Sequence, residues 1–170
     1  MSLDFSFPRI LSRFPTEANE KWELVVDLYA LTDLDSAELV SGEVLRIDRK
    51  IAICSANTNI ERVFQTNDQV APVYCLANNG SLGVPTGLIF IVLCDNYCLE
   101  ECKEKIMVAG FLVNNQSPTG GAWLRHKSDS IHSALNCYRD LVRIEEIESA
   151  EPQILMQRAI KPRVSWGRHR

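Results

Sequence analysis

The chain has 170 residues, of which 46% are hydrophobic and 24% are charged, a balance typical of a globular domain with one core. Its formal net charge of −4 argues against a dedicated nucleic-acid-binding protein, because such proteins usually carry an overall positive charge. No apolar run approaches the roughly 20 residues of a membrane-spanning helix, so we expect a soluble or peripheral protein.

The first twenty residues contain three phenylalanines and two prolines and show neither a helical nor a strand period. This pattern predicts an extended N-terminal arm, residues 1–20. Because Phe5, Phe7 and Phe14 are costly to leave in water, the arm could lie in a groove of the same molecule or of a neighbour. A disordered terminus is the alternative.

The next segments suggest alternating strands and helices. Trp22 to Leu31 alternates apolar and polar residues, which predicts a half-buried strand. Ser36 to Ile47 has apolar residues at helical spacing after a capping pattern, which predicts a helix. Three short strands follow, at Ile51 to Cys54, Arg62 to Gln65 and Val73 to Leu76.

Three cations lie at the end of the predicted helix and have two interpretations. Arg46, Arg49 and Lys50 lie where they would interact favourably with the helix dipole and the last carbonyls. The alternative is that these three cations contact a phosphate group or a lipid.

Residues 78–87, NNGSLGVPTG, predict a long surface loop because they concentrate Gly, Asn and Pro. Leu82 and Val84 are apolar within this loop, so they are either tucked under it or offered to a partner or a membrane. Leu88 to Cys94 is a continuous apolar run that predicts the central strand. Tyr97 to Lys105 predicts a short helix.

The stretch from Ile106 to Arg125 predicts a hairpin. An apolar strand over residues 106–113 leads into a polar turn and a second short strand that contains Trp123, the expected packing anchor of the core. A helix then begins near Ser128, with apolar residues at three- and four-residue steps, and ends near Ile147.

The C-terminal segment, predicted as residues 152–170 after a globular region of residues 21–151, is strongly basic. From Gln153 onward it has no carboxylate, and Trp166 lies among the cations. These features predict a contact for anionic lipid or RNA phosphate, and a solvated tail is the alternative. The cations are Arg158, Lys161, Arg163, Arg168 and Arg170.

Neither catalysis nor a cofactor is indicated. Cys94, Cys98 and Cys102 are spaced by four residues, but no second Cys or His pair completes a zinc site, so we expect free thiols and no metal. Cys137 follows His132 without an oxyanion loop, and no phosphate-binding loop occurs. We therefore expect a protein that is not an enzyme and has no cofactor.

The predicted element order indicates an α+β fold, with a single twisted, mainly antiparallel sheet of about five strands and two or three helices packed against it. Three motifs in this order also resemble the matrix proteins of rhabdoviruses, the plant-infecting branch most closely. They are GFLV (Gly110 to Val113), GAW (Gly121 to Trp123) and DSIH (Asp129 to His132). The runs TGLIFIVLCDNYCLEE and KWELVVDLYALTDLDSAELV are more weakly similar to that family.

The resemblance implies a viral matrix protein that self-assembles, condenses the nucleoprotein–RNA complex and links it to the inner face of the lipid envelope. Its partners would be other copies of itself, viral nucleoprotein–RNA, an anionic membrane surface and the viral glycoprotein. It would lie in the virion under the envelope and in the host cytoplasm at membranes.

The site residues follow from this expectation. Animal-virus relatives carry a lysine-rich N-terminal tail, whereas this arm has only Arg9 and Arg13, so lipid or phosphate contact is assigned to the basic C-terminal segment. Self-association is assigned to the arm phenylalanines, and insertion at a membrane or partner to Leu82 and Val84. The alternatives are a small cytosolic adaptor, a single-strand nucleic-acid-binding module using Trp166, or a thiol enzyme around Cys137.

Overall fold

A computed structural model describes residues 7–15, 20–35, 39–56 and 69–157. Within these residues one antiparallel sheet contains nine strands, accompanied by two α-helices and one 3₁₀ helix. The predicted α+β fold with about five strands is therefore wrong. The main causes are that a segment predicted as a helix forms a strand, that a predicted loop is largely strand, and that a long C-terminal strand was missed.

The elements have the following bounds. The strands are β1 (Ile10–Leu11), β2 (Trp22–Leu31), β3 (Glu43–Ile47), β4 (Ile51–Ser55), β5 (Val70–Leu76), β6 (Leu82–Leu93), β7 (Phe111–Gln116), β8 (Gly121–His126) and β9 (Ile147–Met156). The helices are α1 (Leu99–Val108), α2 (Ile131–Cys137) and the 3₁₀ helix (Tyr138–Arg143).

The sheet follows the order β3-β4-β2-β5-β6-β8-β7, with β1 paired to β2 and β9 paired to β6. Strands β2, β5, β6 and β9 pair in that order. The arm pairs with β2 through β1 and with β9 through Phe14, which lies opposite Ala150. The arm therefore closes a ring of paired strands and covers two strand edges that would otherwise be open.

Strand β3 replaces the helix predicted over residues 36–47, of which residues 36–38 lie outside the described part. Ile47 is fully buried, whereas Val44 is largely exposed. Residues three positions apart point to opposite faces of a strand, so this difference in burial fits a strand with one buried and one exposed face. Asp48 and Arg49, both at positive φ, form the turn into β4. Arg46 pairs with Glu43 on its own strand, and its guanidinium donates to the Arg49 carbonyl at 3.3 Å.

Strand β6 begins within the predicted loop, which is wrong from Leu82 onward. The N-terminal part of β6 pairs with β5 and β9, and its C-terminal part pairs with β8 and β9. The predicted strand at residues 88–94 is confirmed as this second half. The predicted strands at residues 22–31, 51–54 and 73–76 are also confirmed, and the one at residues 62–65 lies outside the described residues.

The predicted hairpin is confirmed, but its first strand is shorter than expected. Residues 106–108 belong to α1, and Gly110 at φ 96° reverses the chain into β7. Helix α1 begins after Cys98, whose backbone N–H donates to the Glu101 carboxylate at 2.8 Å.

The predicted last helix is divided and shorter. Ser130 caps α2, the 3₁₀ helix ends at Arg143, and the chain then enters β9. Ile147, Ser149 and Ala150 are buried in β9, and Glu148 and Glu151 of the same strand are exposed. Glu146 precedes the strand and is only 7% exposed, so the acidic run is not the solvated end of a helix. The predicted boundary at residue 151 falls inside β9.

Candidate functional site

Two regions of the described fold bring together residues that are candidates for a functional role. The first holds the N-terminal arm. We call it the arm groove and define it by Tyr74, Tyr138, Arg139, Ser149 and Ala150.

The tyrosines of the arm groove bind the backbone of the arm. The Tyr74 hydroxyl donates to the Pro8 carbonyl at 2.8 Å, and the Tyr138 hydroxyl donates to the Ser12 carbonyl at 3.0 Å. Both tyrosine side chains are fully buried. Burial raises the pKa of Tyr74, and the neighbouring Tyr138 adds to the rise, so the Tyr74 hydroxyl remains a proton donor throughout the physiological range.

The other end of the arm is held by β9. Phe14 and Ala150 exchange two backbone hydrogen bonds, each of 2.9 Å. The Arg13 guanidinium donates to the Ser149 hydroxyl at 3.1 and 3.0 Å. Between Pro8 and Ser12 the side chain of Leu11 is fully buried in the main core, so the described arm is an integral part of the fold.

The predicted arm residues lie in different parts of this arrangement. Phe5 is outside the described residues, whereas Phe7 and Phe14 are partly buried against the main core. The ring of Phe7 is 5.4 Å from the ring of His132, and the Arg139 guanidinium lies 5.5 Å from the centre of the Phe14 ring. No pattern in the sequence singles out either tyrosine for this role; the only available signal is that a buried tyrosine hydroxyl commonly needs a hydrogen-bond partner.

The second region is a cleft of about 870 Å³. It lies among the turn between β3 and β4, the first half of β6, the end of β9 and the start of α2. Its base is apolar, with Val84 at 1% exposure and Ile51 and Val70 also buried. Further apolar lining comes from Phe7, Ile131 and Leu155.

Charged side chains surround this apolar base. Three carboxylates, Asp33, Asp48 and Asp129, and one ammonium group, Lys50, line the cleft. Asp129 forms an ion pair with Arg125 at 2.6 Å. In the described chain no cation is ion-paired with Asp33 or Asp48, so the rim has an acidic side.

Leu82 and Val84, the two apolar residues of the predicted loop, both lie in strand β6, and Val84 also lines the cleft. Leu82 is half-buried, and Val84 packs in a second core cluster with Ile53 and Val73. Val84 therefore contributes to the base of the cleft and is not exposed at the surface. Leu82 is the more accessible of the pair.

Trp123 is half-buried, and its ring lies 4.8 Å from that of Phe90 at an interplanar angle of 51°. Its strand neighbours Ala122 and Leu124 are fully buried. Side chains alternate along a strand, so Trp123 and Phe90 pack on the face opposite these two residues.

The environment of the Cys137 thiol disfavours its reactive thiolate form. All six cysteines are free, and no group of three or more metal-ligating side chains occurs in the described ranges. Burial first, and then Asp140, raise the pKa of the Cys137 thiol, which is the opposite of what a nucleophilic cysteine requires. Burial, together with Lys127, lowers the pKa of His126.

Residues 152–156 of the basic C-terminal segment belong to β9, and residues 158–170 lie outside the described residues. All five of its predicted contact residues, from Arg158 to Arg170, lie outside the described residues. The last described strand, β9, ends at Met156, which is 42% exposed. No helix in the described ranges combines the length and apolar character needed to cross a membrane.

Comparisons with models of protein families, with curated proteins and with solved structures found no match.

Proposed function

We propose that this protein is a viral matrix-type structural protein that self-associates and links nucleoprotein–RNA to an anionic lipid surface. The observation that carries the proposal is that the three rhabdovirus-like motifs lie in one structural unit. GFLV leads into β7, GAW begins β8, and DSIH spans the start of α2. Strands β7 and β8 pair with each other, the Phe111 ring lies 5.3 Å from the His126 ring, and Arg125 forms an ion pair with Asp129.

We propose that copies of the protein associate with each other through the N-terminal arm. The arm groove holds the arm largely through backbone atoms, namely the carbonyls of Pro8 and Ser12 and both backbone groups of Phe14. The arm of a second copy would offer the same atoms, so exchange between copies replaces each contact with an equivalent one. Phe5, Phe7 and Phe14 would then pack against the neighbouring molecule.

Contact with lipid or with the phosphates of nucleoprotein–RNA is proposed for the basic C-terminal segment. Each basic residue near an anionic membrane contributes about 1 kcal/mol, so five cations give a usable but reversible attraction. Many copies joined through their arms would bind such a surface far more strongly than one copy. Leu82, at the start of β6, is an apolar side chain that could add to this contact.

Vesicle co-sedimentation tests the lipid contact. Full-length protein is mixed with vesicles containing or lacking phosphatidylserine, and so is a variant in which all five cations of the segment are replaced by glutamine. We expect the wild type to sediment with anionic vesicles and the variant to remain in solution. Equal binding by both proteins would overturn the assignment.

Sedimentation velocity over a range of protein concentrations tests self-association. Concentration-dependent assembly is expected. A protein that stays monomeric at high concentration and binds short single-stranded RNA in a salt-dependent manner would instead be a nucleic-acid-binding module.

A further inference from the structure

The cleft lies next to the point where the basic C-terminal segment leaves the described fold. Leu155 lines the cleft and pairs with Val84 in its base. Only Met156 and Gln157 separate Leu155 from Arg158, the first cation of the segment. A chain of thirteen residues spans up to about 43 Å when extended, so length does not prevent residues 158–170 from lying along the cleft.

The chemistry of the cleft matches that of the segment. The cleft has an apolar base and a rim with three carboxylates and one ammonium group. Residues 158–170 combine five cations with apolar side chains and contain no carboxylate, and the apolar residues include Ile160, Val164 and Trp166. Asp33 and Asp48, which have no ion-pair partner in the described chain, are the groups that these cations would meet.

We propose that the cleft is the docking site for the chain's own C-terminal segment, residues 158–170. The segment is covalently attached at the edge of the cleft, so its effective concentration there is in the millimolar range, and weak charge pairs are sufficient to hold it. Docking engages the same cations that are proposed to contact anionic lipid or phosphate. The regulatory consequence, which rests on the proposed function, is that the cleft and the anionic surface compete for the segment.

Trypsin cleavage of the full-length protein tests docking without lipid. The initial rates of cleavage after Arg163 and Arg168 are measured by mass spectrometry for the wild type and for a double variant, Asp33→Asn with Asp48→Asn. Removing two surface charge pairs is expected to speed cleavage about three- to tenfold. The matched control, Asp95→Asn with Glu104→Gln, removes the same charge from exposed positions outside the cleft and should cleave at the wild-type rate.

Equal cleavage rates in the wild type and the cleft variant would overturn the proposal. If the cleft variant does not fold, raising salt from about 50 to about 500 mM provides the second measurement on the wild type. Cleavage at the two sites must then accelerate relative to a free peptide of residues 158–170 in the same tube. No relative acceleration would equally contradict docking.

Two further measurements, dilution and vesicle binding, distinguish docking within one chain from docking between copies and test docking separately from the lipid contact. Protection that disappears on dilution would overturn docking within one chain and place the segment in the cleft of a second copy. Under the proposal, the cleft variant should also bind anionic vesicles more tightly than the wild type. Faster cleavage of the cleft variant with no vesicle binding by any protein would support docking and contradict the proposed lipid contact.

Discussion

Replacing Leu11 by alanine tests whether the N-terminal arm is part of the fold. Leu11 is 0% exposed and lies in the main core, although its strand β1 contains only two residues. Truncation of a buried leucine to alanine costs about 2 to 5 kcal/mol, since apolar contacts are lost and a cavity remains. Full burial of Leu11 places the expected loss near 3 kcal/mol.

The adjacent residue provides a matched control. Ile10 lies in the same strand and is 44% exposed, so Ile10→Ala should cost less than about 1 kcal/mol. Urea unfolding followed by circular dichroism gives the free energy of unfolding for both variants and for the wild type. Equal, small losses for the two substitutions would show that Leu11 is not buried, and would refute the docked arm and the closed ring of strands.

Three further substitutions test individual contacts. Tyr138→Phe removes the hydroxyl that donates to the Ser12 carbonyl and should lower the free energy of unfolding by about 1 to 2 kcal/mol in urea titrations. Gly121→Ala places a new Cβ 2.5 Å from the backbone oxygen of Ile91, so a loss of about 1 to 3 kcal/mol is expected by the same measurement. The hydrogen bond from Lys105 is the main cause that lowers the pKa of Glu146, a residue only 7% exposed. A carboxyl whose pKa is lowered by folding stabilises the fold above its unfolded pKa, which is about 4.5 for glutamate. This stabilisation is lost as the pH falls through the lower pKa of the folded state. The melting temperature of Glu146→Gln should therefore depend less on pH below about 4.5 than that of the wild type.

Control substitutions distinguish these specific effects from a general loss of stability on substitution. Tyr97 is 41% exposed, so Tyr97→Phe should leave the free energy of unfolding almost unchanged. Glu148 is exposed on β9, and Glu148→Gln should keep the acid sensitivity of the wild type. A Tyr138→Phe protein as stable as the wild type would contradict the hydrogen bond to the arm, and a fully stable Gly121→Ala protein would contradict the close approach of β8 to β6.

Local patterns predicted the strands that alternate cleanly or are continuously apolar. Strand β2 and the second half of β6 lie where these patterns placed them. The β7–β8 hairpin was also predicted, although Ile106 to Val108 extend α1 instead of starting β7. Apolar residues at the end of a helix and at the start of a strand cannot be distinguished by hydrophobicity alone.

Long-range pairing decided the remaining elements. Strand β3 forms because it pairs with β4 across a turn at Asp48 and Arg49, and this pairing overrides a helical spacing of apolar residues. Strand β9 has the charge pattern of a solvated helix end, but it pairs with β6 along most of its length. The arm groove was missed for the same reason, because Tyr74 and Tyr138 are 64 residues apart in sequence.

The most direct test of the proposed function measures the affinity of the protein for anionic vesicles. The five basic residues of the C-terminal segment are replaced one after another by glutamine, and the affinity is measured after each replacement. Each replacement is expected to weaken binding about fivefold, which corresponds to about 1 kcal/mol for each cation near the surface. The effect should diminish as salt is raised. An affinity that stays unchanged from five cations to none would contradict the account.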